Sequence, residues 1–144
     1  MSKLSYRKLH PWKYQTTIIM RVKLDFICPD VITEYISIIN GVLIVYTRYC
    51  WDGPSGPTWD TPNFMRGSLF HDALYQLIKE KLLGRLFQKD ADDLLKKICL
   101  EDGMGKFRAG YVHWAVRTFG KWTLNKKYYP GQRYVTIRDG KVVK

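Results

Sequence analysis

The sequence has 144 residues, 46% of them hydrophobic and 15% aromatic, which is enough apolar material for one buried core and excludes a disordered chain. Its formal charge of +11, spread from Lys3 to Lys144 without a block, favours polyanionic partners: a phospholipid surface, an acidic protein and, with no recognition helix or RNA-binding signature, nucleic acid last. No apolar run reaches the roughly 18 residues of a membrane span, the opening MSKLSYRKLHPWKYQ lacks the apolar stretch of a secretory leader, and three cysteines without C-x-x-C spacing point to free thiols in a reducing compartment.

The first fifty residues carry period-two patterns. Thr16 to Phe26 and Glu34 to Tyr49 read as strands, the second stretch folded into a hairpin about Asn40-Gly41, a pair that accepts φ > 0 at both central turn positions. The expectation is a small antiparallel sheet with Ile36, Ile38, Val42, Ile44 and Tyr46 on the face turned to the helices. Gly53, Pro54, Gly56, Pro57 and Pro62 exclude regular structure through the loop, because the prolines remove donors and the glycines open φ > 0. This loop is expected to deliver Trp51 and Asp52 towards the helix that follows.

Thr61-Pro62 is a helix start: the hydroxyl can accept an orphan N–H, and proline at the first position gives up a donor that had no partner. The helix is expected to run to about Leu83 or Gly84, with Phe70, His71, Leu74, Tyr75, Leu77, Ile78 and Leu82 on one side and Asp72 one step round at the edge. Asp90 with Asp93 resembles a capping box opening a second helix, whose stripe of Ala91, Leu94, Leu95, Ile98 and Cys99 ends before Gly103. Asp93 falls opposite that stripe with Lys96 and Lys97, whereas Asp92 sits at its edge beside Leu95 and Cys99.

A short connection makes these helices antiparallel neighbours about 8–10 Å apart, a gap that an imidazole and a carboxylate can bridge. His71 and Asp92 are therefore a candidate dyad, the carboxylate fixing the tautomer of a histidine that acts as general base on water. A core histidine with a satisfied hydrogen bond is the plainer alternative. A metal-dependent phosphohydrolase would need more histidines than His10, a loop residue before Pro11, and His113 supply. A Cys–His nucleophile from Cys50 or Cys99 has nothing at its spacing to activate the thiol.

Lys106 to about Trp122 reads as a third helix with Val112, Ala115, Val116, Phe119 and Trp122 on its buried side and His113 and Arg117 outside it, where Arg117 can clamp a phosphate. The basic, aromatic tail is expected to end in a short hairpin about Asp139-Gly140, and its Lys126, Lys127 and Arg133 are candidate contacts to an anionic partner. The expected fold is a single α+β domain over residues 1–144: a β-rich part (1–50), a Gly/Pro loop (51–63), a helical core (64–122) and the tail (123–144).

His71-Asp72-x-x-Tyr75 on one helix, followed by Ala91-Asp92-x-x-Leu95 on a second, resembles the core of phospholipase A2, especially its small prokaryotic branch. Together with Tyr111, Val116-Arg117 and Phe119-Gly120, these residues resemble a phage-encoded family, the domain of unknown function 1353, over roughly Trp51 to Gly120. The resemblance implies that His71 activates water, Asp92 holds His71, Tyr75 braces Asp92, and Asp72 is the carboxylate of a Ca²⁺ site completed by carbonyls of Trp51, Gly53 and Ser55. It implies a phage-encoded, calcium-dependent lipid or ester hydrolase acting in the host bacterial cytoplasm, at a membrane surface or in the virion. The family's disulfide positions are here Ser68, Leu69 and Leu74, and prolines stand in the calcium loop. The alternative is a catalytically inactive phage protein that keeps the helix pair as a scaffold and acts by binding, as a virion or tail component or as an inhibitor of a host factor.

Overall fold

Short strands make up much of the described part of the first fifty residues, and three helices build the segment that carries the candidate site. A computed structural model describes residues 4, 6–8, 14–51, 61–125, 136–138 and 141–143. The fold is α+β, and the chain divides into two compact units, Met1–Gly53 with Tyr128–Lys144, and Pro54–Lys127.

In the first unit, β1 (Tyr6–Lys8), β2 (Tyr14–Thr16), β3 (Met20–Lys23), β4 (Val31–Ile32), β5 (Ile36–Ile39), β6 (Val42–Val45) and β7 (Cys50–Trp51) form antiparallel sheets in the orders β1-β2-β7 and β3-β6-β5-β4. β8 (Thr136–Arg138) and β9 (Lys141–Val143) pair as the C-terminal hairpin, with Arg138 opposite Lys141. The β5–β6 turn is the expected one, with Asn40 at φ 50° and Gly41 at φ 75°. A two-residue turn sets Ile36 opposite Val45 and Ile38 opposite Leu43, so even-numbered residues of β5 share a face with odd-numbered residues of β6. Ile36, Ile38, Leu43 and Val45 are accordingly the buried set. Val42 and Ile44, expected on that face, are turned off it.

Thr16 to Phe26 is also not one strand. The Thr16 hydroxyl donates to Tyr46 O at 2.9 Å and accepts the Tyr49 N–H at 3.0 Å, and after this anchor the chain bends at Thr17 and Ile18 before entering the other sheet as β3.

The second unit holds α1 (Pro62–Lys79), a 3₁₀ turn (Arg85–Phe87), α2 (Gln88–Glu101) and α3 (Lys106–Asn125). α1 stops at Lys79, short of Leu83, because Lys81 enters the left-handed region (φ 61°) and the N–H groups of Lys81 and Leu82 turn back to Ile78 O and Leu77 O. The same closing pattern ends α2, where Gly103 (φ 95°) takes the left-handed position and Met104 N–H reaches Cys99 O. Neither expected N-terminal cap forms. The Thr61 hydroxyl donates to Asn63 Oδ1 and accepts from Arg108 of α3, and α2 grows out of the 3₁₀ turn with Asp90 inside its first turn.

α1 and α2 cross antiparallel where Gly67 faces Leu95 and Cys99. A Cβ at Gly67 would come 2.9 Å from Leu95 Cδ1 and 3.0 Å from Cys99 Sγ, so the absence of a side chain sets how closely the two helices approach. Arg66, buried one residue earlier, clamps the far end of α2 through Nε to both oxygens of Asp102 and through Nη2 to Glu101 at 2.9 Å. α3 shows a different face from the one its sequence implies: Ala109, Val112, Gly120 and Leu124 are buried, while Phe119 and Trp122 are exposed. The reason is polar. His113 and Arg117 pair with carboxylates of α2, and these bonds roll the aromatic side of α3 outward.

Candidate functional site

One helical turn beyond Gly67, the side chains of His71 and Tyr75 project from α1 onto the same carboxylate of α2. His71 Nε2 lies 2.7 Å from Asp92 Oδ1, and the Tyr75 hydroxyl donates to that oxygen at 2.6 Å. Arg117 Nη1 of α3 donates to Asp92 Oδ2 at 2.9 Å. Three helices thus converge on Asp92, whose side chain is 0% exposed and has both oxygens satisfied. Such convergence offsets the cost of burying a carboxylate, which is high when its oxygens are left without donors.

The acceptor role of Asp92 assigns the histidine tautomer. A carboxylate that already accepts from Tyr75 and Arg117 has no proton to give, so the neutral imidazole carries its hydrogen on Nε2 and its lone pair on Nδ1. Nδ1 lies 3.9 Å from Asp72 Oδ1, too far for a direct hydrogen bond and close enough to feel its charge. The ring is 9% exposed as a side chain and the Asp72 carboxylate 23%, which puts Asp72 on the more open side of the pair. Burial by itself would lower the His71 pKa, but the two carboxylates, Asp72 and Asp92, outweigh it and raise the pKa above the ordinary imidazole value. Tyr75 is pushed up by burial and by the Asp92 charge, and it stays a protonated donor.

Gly120 of α3 packs against this group from the third helix. A Cβ there would overlap the Tyr75 hydroxyl and come 3.0 Å from Gln88 Nε2. Tyr75 reaches Asp92 through a slot that only glycine leaves open. On the neighbouring flank, Asp93 is bonded by Lys89 and by His113 Nε2, each at 2.7 Å; desolvation works to raise its pKa, but the two partners together outweigh it and hold the carboxyl below the usual range.

The structure therefore brings His71, Tyr75 and Asp92 together, with Asp72 beside them. Arg117 stays exposed as expected, its side chain 38% open, and its guanidinium nevertheless reaches Asp92. Trp51 is in β7, paired with Tyr14. Gly53, Ser55, Lys126, Lys127 and Arg133 lie outside the described residues. Burial pushes the Cys99 thiol up to about 12, which leaves no thiolate for nucleophilic chemistry near neutral pH.

Sequence reasoning missed Gly67, Gly120 and the Arg117 contact. The available signal was spacing: Gly67, His71 and Tyr75 recur every four residues on α1, and His113, Arg117 and Gly120 lie along one side of α3.

Among the described residues no three His, Cys, Asp or Glu side chains gather as a metal set, and Asp72 alone offers a carboxylate on the Nδ1 side. A carboxylate gives at most two of the six to eight oxygens that Ca²⁺ takes. Also among the described residues, no helix is long and apolar enough to cross a membrane. Comparison with protein-family models, curated proteins and solved structures gives no match for this chain.

Proposed function

We propose that this chain is a phage-encoded, phospholipase A2-like hydrolase in which His71 activates water for attack on a lipid ester. One observation carries the reading: His71 Nε2 is tied to a buried Asp92 at 2.7 Å, and the lone pair of Nδ1 is left on the side of the partly open Asp72. In this reading Nδ1 takes a proton from water as the water oxygen bonds to the ester carbonyl carbon. Asp92 stabilises the imidazolium, and Tyr75 and Arg117 keep the carboxylate in place. As the tetrahedral centre collapses, the ester C–O bond breaks and the leaving alkoxide takes the proton from Nδ1, restoring the neutral ring. Asp72 is the carboxylate for a Ca²⁺ ion, which when bound would supply positive charge for the developing oxyanion; its remaining ligands are carried by the resemblance alone.

The test is fatty-acid release from phosphatidylglycerol vesicles by wild type, His71→Gln and Asp92→Asn, with and without Ca²⁺. The reading expects turnover by wild type in Ca²⁺ and a loss of at least about 100-fold in His71→Gln, the scale of a general base. Equal rates in wild type and His71→Gln would sink it.

A second reading is favoured by the Arg117–Asp92 bond, since Asp92 is charge-balanced without a protonated His71. The His71–Tyr75–Asp92–Arg117 group is then a polar pin joining three helices, in a protein that acts by binding a host or virion partner. It expects no turnover from wild type and a clear loss of stability in Asp92→Asn.

A further inference from the structure

The face that α3 turns outward is aromatic along its whole length. Phe107, Tyr111, Trp114 and Trp122 fall with Thr118 within about 80° of arc at 100° per residue. Phe107 is 93% exposed, Trp122 67% and Trp114 55%, with Phe119 exposed on one flank. Exposed side chains of this size rarely gather without a partner, and a contiguous apolar patch marks an interaction surface.

The charge of the helix selects the partner. α3 has no Asp or Glu in its 20 residues and carries Lys106, Arg108, Arg117 and Lys121, with Lys121 exposed on the flank of the aromatic arc and Lys106 exposed at the helix's first position, next to Phe107 in the chain. A second copy would bring the same cations against them on a chain of +11, so self-association is opposed and an anionic occupant favoured. The rings discriminate between anionic occupants. Tyr111 and Trp114 lie 6.0 Å apart, Trp114 and Phe119 6.0 Å edge to face, and Phe119 and Trp122 5.7 Å. Rings packed against one another make a continuous ridge, suited to the headgroup and acyl boundary of a bilayer, whereas stacking on bases needs separately presented ring faces.

We infer that α3 is the docking element of this protein, lying in the plane of an anionic phospholipid surface with Phe107, Tyr111, Trp114 and Trp122 in the interface and Lys106 and Lys121 against the headgroups. The inference rests on the hydrolase reading only for the purpose of docking. Binding can be measured without turnover, so the two can fail separately.

The experiment is co-sedimentation of the full chain with vesicles of phosphatidylglycerol and phosphatidylcholine, or of phosphatidylcholine alone, with intrinsic tryptophan emission followed in parallel. Wild type is expected to bind the anionic vesicles with a blue shift. Trp114→Ser/Trp122→Ser should weaken binding at least ten-fold with an unchanged melting temperature, Lys106→Gln/Lys121→Gln should remove the preference for anionic lipid, and His71→Gln should bind as wild type. Three results would overturn the inference. The double tryptophan variant binds like wild type; it melts far lower, which places the face inside a packed core; or the same substitutions abolish a dimer or a single-stranded oligonucleotide complex while vesicles are not bound at all.

Discussion

Arg117 donates to Asp92 Oδ2 at 2.9 Å, on the carboxylate whose other oxygen holds His71. Through Asp92 the third helix acts on the histidine of the first without touching it. Replacing Arg117 by Gln leaves the Asp92 charge to be balanced by His71 alone, which favours the imidazolium. The expected outcome is a further rise of the His71 pKa by NMR titration and a loss of about 1.5–3 kcal/mol in urea unfolding, the range of a hydrogen bond to a charged group.

Gly120 and Tyr75 should couple strongly. Gly120→Ala drives a methyl into the Tyr75 hydroxyl, and overpacking of this kind costs about 1–3 kcal/mol. Tyr75→Phe removes the oxygen that the methyl strikes. The double variant should therefore be destabilised by clearly less than the sum of the single variants. Additive losses in chemical denaturation would mean that the slot is not where the structure puts it.

Protonation of His71 links folding to pH. Its folded pKa is raised above the unfolded value of about 6.5, so its stabilising contribution is fully present below that value and is lost as pH rises through the folded pKa. Unfolding free energy measured from pH 5 to 9 should fall across that window in wild type and lack this component in His71→Gln. In the hydrolase reading the same titration sets the acid limb of the pH–rate profile, because only the neutral ring accepts a proton. Asp72→Asn should move that limb to lower pH by removing one of the two charges that raise the pKa.

Calorimetric titration of Ca²⁺ into wild type and Asp72→Asn tests the cation part of the reading. Binding by wild type that Asp72→Asn abolishes is the expected result. Binding by neither protein removes Ca²⁺ from the account and leaves the His71–Asp92 geometry as it is.

Much of the fold was legible because local chemistry dictates it. Asn40-Gly41 fixed a turn that needs φ > 0 twice, Gly103 ended α2, and Pro62 opened α1. Asp92 was legible as a partner for His71 because His71 lies on the apolar side of one helix and Asp92 at the edge of the apolar stripe of its antiparallel neighbour. What escaped depends on pairs far apart in sequence. The outward roll of α3 follows from His113 and Arg117 finding Asp93 and Asp92, which a single-helix wheel cannot show, since it counts the aromatics as buried. The face of β6 depends on the parity of a two-residue turn, and miscounting by one inverts it. Gly67 and Gly120 matter only because of the side chains opposite them.

The most direct measurement is an ¹⁵N NMR titration of this chain labelled in its histidines, with His71 assigned by its loss in His71→Gln. A general base held by Asp92 requires the neutral ring to carry its proton on Nε2, with Nδ1 unprotonated and a pKa above the ordinary imidazole value. A neutral ring protonated on Nδ1, or a pKa at or below about 6.5, would contradict that role, because the nitrogen meant to accept the proton of water would already be occupied or the paired carboxylates would not be acting on it.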